Sequence, residues 1–166
     1  MLPREQVVVQ NGIHFLDLLQ FFMGPANEVF ARERLSGDEA CTVAVSLLFE
    51  SGAVGNVLLS SCGSWRYPNE WLDVIGSNGC CLSVGNGRRV DLLAGGEQNR
   101  HFEQTLSAHW NNDEAGFARQ LRAFARSIQS EMPEEVGPQD GLRSVLLAEA
   151  VLDSLRERRL VEVPRG

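Results

Sequence analysis

At 166 residues and 18.3 kDa, with 43% hydrophobic and 22% charged residues, the chain has the proportions of one soluble globular domain spanning residues 1–166. That is long enough to bury a core without a disulfide or a metal. Fifteen basic residues, every one an arginine, stand against 22 acidic ones for a net charge of −7 and a pI near 5.0, a poor match to nucleic acid or an anionic membrane. The absence of lysine excludes mechanisms that rest on a lysine base, a Schiff base or a phosphate-loop lysine.

The longest apolar stretch, Phe15 to Met23, is interrupted by Asp17 and Gln20 and falls well short of the ~18 residues of a membrane span. Met1 to Gln6 lacks the apolar core and small-residue cleavage site of a secretory signal, so a cytoplasmic location is expected. From Gly12 to Met23, Phe15, Leu18, Leu19 and Phe22 recur at i, i+3, i+4 and i+7, which predicts an amphipathic helix ended by Gly24-Pro25.

A series of strands follows. Residues 28–35 form the first and residues 40–49 the second, with Val43, Val45, Leu47 and Phe49 on one face. Ser51-Gly52 turns the chain into a strand over 53–62. Strands over 70–75 and 80–84 flank Ser77-Asn78-Gly79, and Gly85-Asn86-Gly87 leads into one over 88–93. Asn-Gly supplies the positive φ angles of tight hairpin turns, so these strands read as an antiparallel meander.

Two helices come next. Asn111 with Glu114 resembles a capping box ahead of Phe117, Leu121, Phe124 and Ile128. Pro133, Gly137 and Pro138 break the chain, and Asp140 is expected to cap a second helix running to about Arg158, with Leu147, Ala148, Val151, Leu152 and Leu155 as its buried stripe. Leu160 to Val163 returns as a last strand. The pattern predicts an α+β fold, a mostly antiparallel open-faced sheet with helices packed on one face. Leu47-Leu48-Phe49 and Val57-Leu58-Leu59 put apolar side chains on both faces of the sheet. The face without helices is therefore expected to meet a partner sheet or another subunit.

Chemistry-bearing motifs are sparse. The four cysteines, at 41, 62, 80 and 81, show no metal-ligand spacing and read as small buried thiols of a reducing compartment; no metal site is expected. Gly85-Asn86-Gly87 lies between two strands and continues as Arg88-Arg89-Val90, so it is a hairpin turn and not a dinucleotide-binding loop. The first helix is the most suggestive element. If helical geometry begins near Gln10, then Gln10, His14, Asp17 and Phe21 share a stripe beside the apolar one. There a histidine can exchange a proton near neutral pH and an amide can hydrogen-bond a substrate hydroxyl. A lone helix histidine is more often structural, and Asp17 reads as a local charge partner or hydrogen bonder.

The segment Val7-Val8-Val9-Gln10-Asn11-Gly12-Ile13-His14-Phe15-Leu16-Asp17 through Gly24 resembles the helix that opens the C-terminal domain of the Gfo/Idh/MocA oxidoreductases, with Gly12, His14, Asp17 and Gly24 matching. Leu48 to Gly55 is similar to that family's Phe-x-x-Gly-Ala-x-Gly hairpin, and Leu72 to Gly79 to its Val-x-Gly-x-x-Gly turn. Phe124-Ala125, Pro133, Asp140-Gly141-Leu142, Ala148-Glu149-Ala150 and Ser154 follow in family order.

The resemblance implies one half of a two-domain enzyme. A Rossmann domain, in cis or in trans, would bind NAD or NADP and supply a lysine from a Glu-Lys-Pro motif. The present domain would form the substrate pocket and the oligomer interface, a homodimer or higher homo-oligomer through the open sheet face. The chain alone is then expected to bind no cofactor and to be inactive. In a complete enzyme it would act on a sugar, polyol or cyclitol carbinol. The family match gives His14 the catalytic role of hydrogen-bonding the reacting hydroxyl. Gln10 stands where many members have Asp, and an amide cannot serve as a general base. The loop Ser64 to Pro68 is a candidate substrate-binding wall: Trp65 and Tyr67 can stack on a sugar face and Arg66 can grip an anionic group. His101 and His109 match no motif and are expected on loops. The reading from another class is a stand-alone, non-catalytic dimerisation or ligand-binding module.

Overall fold

The computed structural model describes residues 3–36, 40–63, 69–77, 79–86, 89–93, 100–103, 116–130 and 136–166. The chain is an α+β protein in two compact units, one made of Met1–Gly63 with Pro133–Gly166 and one of Ser64–Met132.

The first unit opens with a continuous helical stretch: α1 (Pro3–Glu5), a π turn (Gln6–Gly12) and α2 (Ile13–Met23). The expected helix is present, but helical geometry starts well before Gly12. Gly24, at φ 84°, ends it in a conformation that costs glycine little. Strands β1 (Ala26–Ser36), β2 (Ala40–Phe49) and β3 (Val54–Ser60) then form an antiparallel meander. A two-residue strand, β8 (Val161–Glu162), adds to the free edge of β1, so the sheet runs β3-β2-β1-β8.

Alternation sorts the side chains of this sheet. Val29 and Ala31, then Cys41, Val43, Val45, Leu47 and Phe49, then Leu59, all point to one buried face. Between Ala26 and Glu28 the register slips by one residue. That bulge allows both Ala26 and Val29 to be buried although they sit on opposite parities.

Helix α4 (Pro138–Glu157) covers the buried face. Leu147, Ala148, Val151, Leu152 and Leu155 are its buried stripe, as the periodicity predicts. Each buried Leu or Val contributes about 1.5–3 kcal/mol. The start of the helix differs from the expectation. Pro138 occupies the first turn and Gly137 is the cap residue, while Asp140 reaches back from inside the helix, its Oδ2 accepting the Gly137 N–H at 2.9 Å. A proline lacking an N–H loses nothing at that position, so the helix begins two residues before Asp140.

At its other end α4 is tied to the sheet by one atom. The fully buried Ser154 Oγ accepts the Ala31 N–H at 2.9 Å and donates to the Arg159 carbonyl at 2.6 Å. Glu28 and Val29 pair with Glu162 and Val161. The same register carried on would set Ala31 against Arg159. The serine hydroxyl therefore stands in the ladder where a direct strand-to-strand bond would be. Arg158, at φ 57°, makes the left-handed turn from α4 toward β8.

The second unit holds an antiparallel sheet in the order β4 (Trp71–Ile75), β5 (Cys81–Gly85), β6 (Arg89–Leu93) and β7 (Arg100–Glu103), with α3 (Phe117–Ser130). The meander read from the sequence is thus two four-stranded sheets, divided between β3 and β4, and β7 was not anticipated. Leu72, Val74, Leu82, Val84, Val90 and Leu92 share one half-buried face. On the other face the Trp71 ring lies over Gly85, where a Cβ would stand 3.0 Å from it. Asn86, at φ 51°, turns β5 toward β6 and bonds back to Glu70 through both its N–H and its Oδ1. In α3, Phe117, Leu121, Phe124 and Ile128 are exposed. The capping residues Asn111 and Glu114 expected ahead of it lie outside the described residues. Among the described residues, no helix is long and apolar enough to cross a membrane.

Two stability effects follow. Ser154→Ala leaves the buried Ala31 N–H without its partner and is expected to cost about 1–3 kcal/mol, read as a lower urea midpoint with an unchanged m-value. Arg158→Gly removes the penalty of a left-handed non-glycine residue, partly offset by a more flexible unfolded chain. It is expected to stabilise the fold by about 0.5–1 kcal/mol in the same measurement.

Candidate functional site

The helical stretch through the π turn and α2 presents one face to the core and one to solvent. Val7, Val8, Gly12 and Leu16 are buried, whereas Gln10, His14, Asp17 and Phe21 are exposed. The stripe expected from the sequence is therefore on the outside of the helix. A π turn pairs each N–H with the carbonyl five residues back, and such turns recur at functional sites. Here it ends two residues before His14.

Asp17 has a structural partner. The buried Ser144 Oγ of α4 donates a hydrogen bond to its Oδ1 and lies 3.0 Å from the Asp140 carbonyl. This matches the reading of Asp17 as a hydrogen bonder, and it joins α2 to α4. Gln10 and His14 are the other polar residues of this stripe, an amide that can donate and accept hydrogen bonds and an imidazole that can do the same.

Trp65, Arg66 and Tyr67, the expected substrate wall, lie outside the described residues, as does His109. His101, expected on a loop, lies instead on β7 opposite Asp91, in a strand too short for its alternation to show in the sequence. An open cleft of about 170 Å³ lies elsewhere in the first unit, lined by Gln20, Pro25, Glu50, Arg143, Pro164 and Arg165 among others. Its lining includes neither His14 nor Gln10. At its edge the Gln20 Oε1 accepts the Ala26 N–H at 3.4 Å, which orients the amide, and the buried Nε2 has no partner among the described residues.

The cysteines differ from the expectation of four buried thiols. Cys41 is buried, Cys62 is exposed, and Cys80 and Cys81 are half-buried. Burial pushes the Cys41 thiol above its ordinary 9.0, and the Glu33 carboxylate adds to this through its charge and by accepting the Sγ–H at 3.8 Å. Glu33 is held in turn by Arg4 at 2.8 Å. Among the described residues, no three His, Cys, Asp or Glu side chains converge in a metal-binding arrangement.

Sequence reasoning missed three features of this region. Ser144 was one of several serines with no spacing to mark it. The π turn has at most a faint signal, three β-branched valines followed by Asn11-Gly12. The approach of Leu59 to Gly12 joins residues far apart in the chain and becomes legible only in the fold.

With the geometry in view, comparison with known proteins places the chain. It matches the family model described as the oxidoreductase family, C-terminal alpha/beta domain, over residues 6–163; the chain belongs to the Gfo/Idh/MocA oxidoreductase family. It is similar to the myo-inositol 2-dehydrogenase of Thermotoga maritima, 28% identical across 97% of this chain and 52% of that protein. Its fold resembles an oxidoreductase from Agrobacterium radiobacter solved with NAD+, L-tartaric acid and magnesium, with a TM-score of 0.78 and 22% identity over 92% of this chain and 48% of that one. It also resembles a levoglucosan dehydrogenase solved with NADH and L-sorbose, with a TM-score of 0.82 and 15% identity over 96% of this chain and 50% of that one. The chain spans about half the length of each of these relatives.

The Cys41 geometry makes a labelling prediction. In the folded protein at pH 8, iodoacetamide is expected to modify Cys62 and to leave Cys41 untouched until urea is added, as read by peptide mass spectrometry. The sign of the pH effect follows from the raised thiol. Above pH 9 the unfolded chain releases a proton that the folded chain keeps, so this thiol's contribution to stability falls as pH rises. A urea midpoint lower at pH 10 than at pH 8, with the difference removed in Cys41→Ala, is the expected result.

Proposed function

We propose that this chain is the substrate-side half of a nicotinamide-dependent oxidoreductase acting on a polyol, sugar or cyclitol carbinol, with His14 beside the reacting hydroxyl. The supporting observation is the coincidence of two things. The chain aligns along 97% of its length with a myo-inositol dehydrogenase, and the stripe that carries Gln10 and His14 faces outward from a helix whose opposite side is locked in the core.

The glycine turn after β5 does not fit the phosphates of the cofactor. The Gly85-Asn86 turn joins two strands of a hairpin and opens no helix, so it offers a pyrophosphate none of the dipole or N–H groups of a helix N-terminus. Binding of the nicotinamide is therefore assigned to a Rossmann half outside this chain.

What this chain contributes is hydroxyl recognition. The His14 imidazole would accept the hydrogen bond of the carbinol O–H and so orient the reacting hydroxyl. Gln10 has no ionisable proton, so its part is to orient neighbouring hydroxyls through its amide. Trp65, Arg66 and Tyr67 are proposed as the remaining substrate contacts.

The same reading assigns an assembly role to the open face of the β3-β2-β1-β8 sheet. Opposite the core it carries Val54 and Leu58, 76% and 73% exposed, beside half-buried Leu48 and Phe30. We propose this apolar strip as a homo-oligomer contact. A cytoplasmic location belongs to this proposal as well.

The test is kinetic. The native polypeptide carrying this domain, isolated with an antibody against it, is assayed for NAD- and NADP-dependent oxidation of myo-inositol and other polyols. His14→Ala in that polypeptide is expected to lower kcat/KM by roughly 10²-fold or more. Unchanged kinetics would remove His14 from the mechanism, and a native band of 18.3 kDa without turnover would favour a binding module.

A further inference from the structure

We propose that Leu59 and Gly12 are a positioning pair for His14: the leucine, seated on the glycine, holds the Gln6–Gly12 turn in its wide π form and so sets the direction in which Gln10 and His14 face. The contact stands on geometry alone. Its importance for a substrate rests on the reading of His14 given above.

A π turn takes in one residue more than an α turn. It therefore rotates the helix on one side relative to the other by about one residue's step, roughly 100°. Val7 and Val8 early in the turn, Gly12 at its end and Leu16 beyond it all reach the core, at separations of four or five and then four residues. The same phase leaves Gln10 and His14 together on the solvent side. In α geometry Gln10 and His14, four residues apart, would still share a face, but Val7, five residues before Gly12, would turn about 140° away from it and leave the core.

π geometry is not the default of any sequence, so something must hold it. Strand β3 supplies the contact. A Cβ on Gly12 would stand 2.5 Å from Leu59 Cδ1 and 2.9 Å from the carbonyl oxygen of Val7. That carbonyl is the acceptor that the five-residue spacing assigns to the Gly12 N–H. The missing Cβ thus lets the leucine methyl and the widened backbone occupy the same corner. Leu59 cannot swing away, being buried and paired in register with Val43. The sheet in this way sets the rotational phase of the helix at a single glycine, two residues before the histidine.

NMR on the isotopically labelled chain tests this without turnover. The wild-type chain is expected to show a hydrogen-bond coupling from the Gly12 N–H to the Val7 carbonyl, with the His14 ring cross-peak as reference. Leu59→Ala removes the seated methyl. The expected result is loss of that coupling, or its transfer to the Val8 carbonyl, together with a shift of the His14 ring signal. Leu59→Met, which still fills the corner, keeps both at wild-type values. Val29→Ala, an equally buried truncation in β1, two strands from Leu59, leaves the coupling and the ring signal in place and so separates positioning from general loosening.

A Leu59→Ala chain that keeps the Val7 coupling and an unmoved His14 signal overturns the proposal. If that variant does not fold, Leu59→Val is read by the same two signals. The outcomes separate from those of the kinetic test. Full turnover in His14→Ala would remove the catalytic reading and leave this contact standing, whereas an unmoved His14 signal in Leu59→Ala would do the reverse.

Discussion

One buried hydroxyl holds the first unit together. A backbone N–H or C=O taken out of water must find a partner inside the protein, and at Ala31 the adjacent strand does not supply one directly. Ser154 bridges the gap, accepting from Ala31 and donating to Arg159. Because the serine sits in the last turn of α4, this bridge fixes how far along the sheet the helix lies. Ten residues earlier on the same helix, about 15 Å away at 1.5 Å per residue, Ser144 is thereby brought to Asp17 of α2. The helix that carries His14 is located from two sides, by that hydrogen bond and by the strand beneath Gly12.

Strands with one covered face were the most legible elements. In β2 the alternation of Val43, Val45, Leu47 and Phe49 gave the boundaries residue for residue, because the period of two is interrupted nowhere along it. In β1 the bulge after Ala26 shifts parity, and the predicted strand accordingly began two residues late. The division into two sheets was not legible. Local patterning says which residues extend and turn, but not whether β3 hydrogen-bonds to β4. Strand β7 has only four residues, too short for alternation to register. The start of α4 was misplaced because Asp140 is a good cap residue that here works from the third helical position.

The candidate site divides along the same line. The outward stripe of Gln10, His14, Asp17 and Phe21 follows from helical periodicity and is present. Its chemistry is only partly visible in a list of residues, because Asp17 is engaged by a serine 127 positions away, and no spacing rule connects the two. The cysteines show the limit from the other direction. Their residue type favours burial, but a thiol's surroundings depend on which face and which strand end it occupies, and only Cys41 is fully enclosed.

The arrangement of the first unit has a consequence for how it is made. Its core needs α4, yet Ser64–Met132, the whole of the second unit, is translated between β3 and α4. At about 5–20 residues per second this segment takes roughly 3–14 s to emerge. Throughout that interval only the N-terminal helical stretch, through Val7, Val8 and Leu16, is available to cover the row of Val43, Val45, Leu47 and Phe49. The nascent meander thus waits with part of its greasy side bare, the kind of surface that chaperones bind, until the last helix leaves the ribosome and Ser154 can reach Ala31.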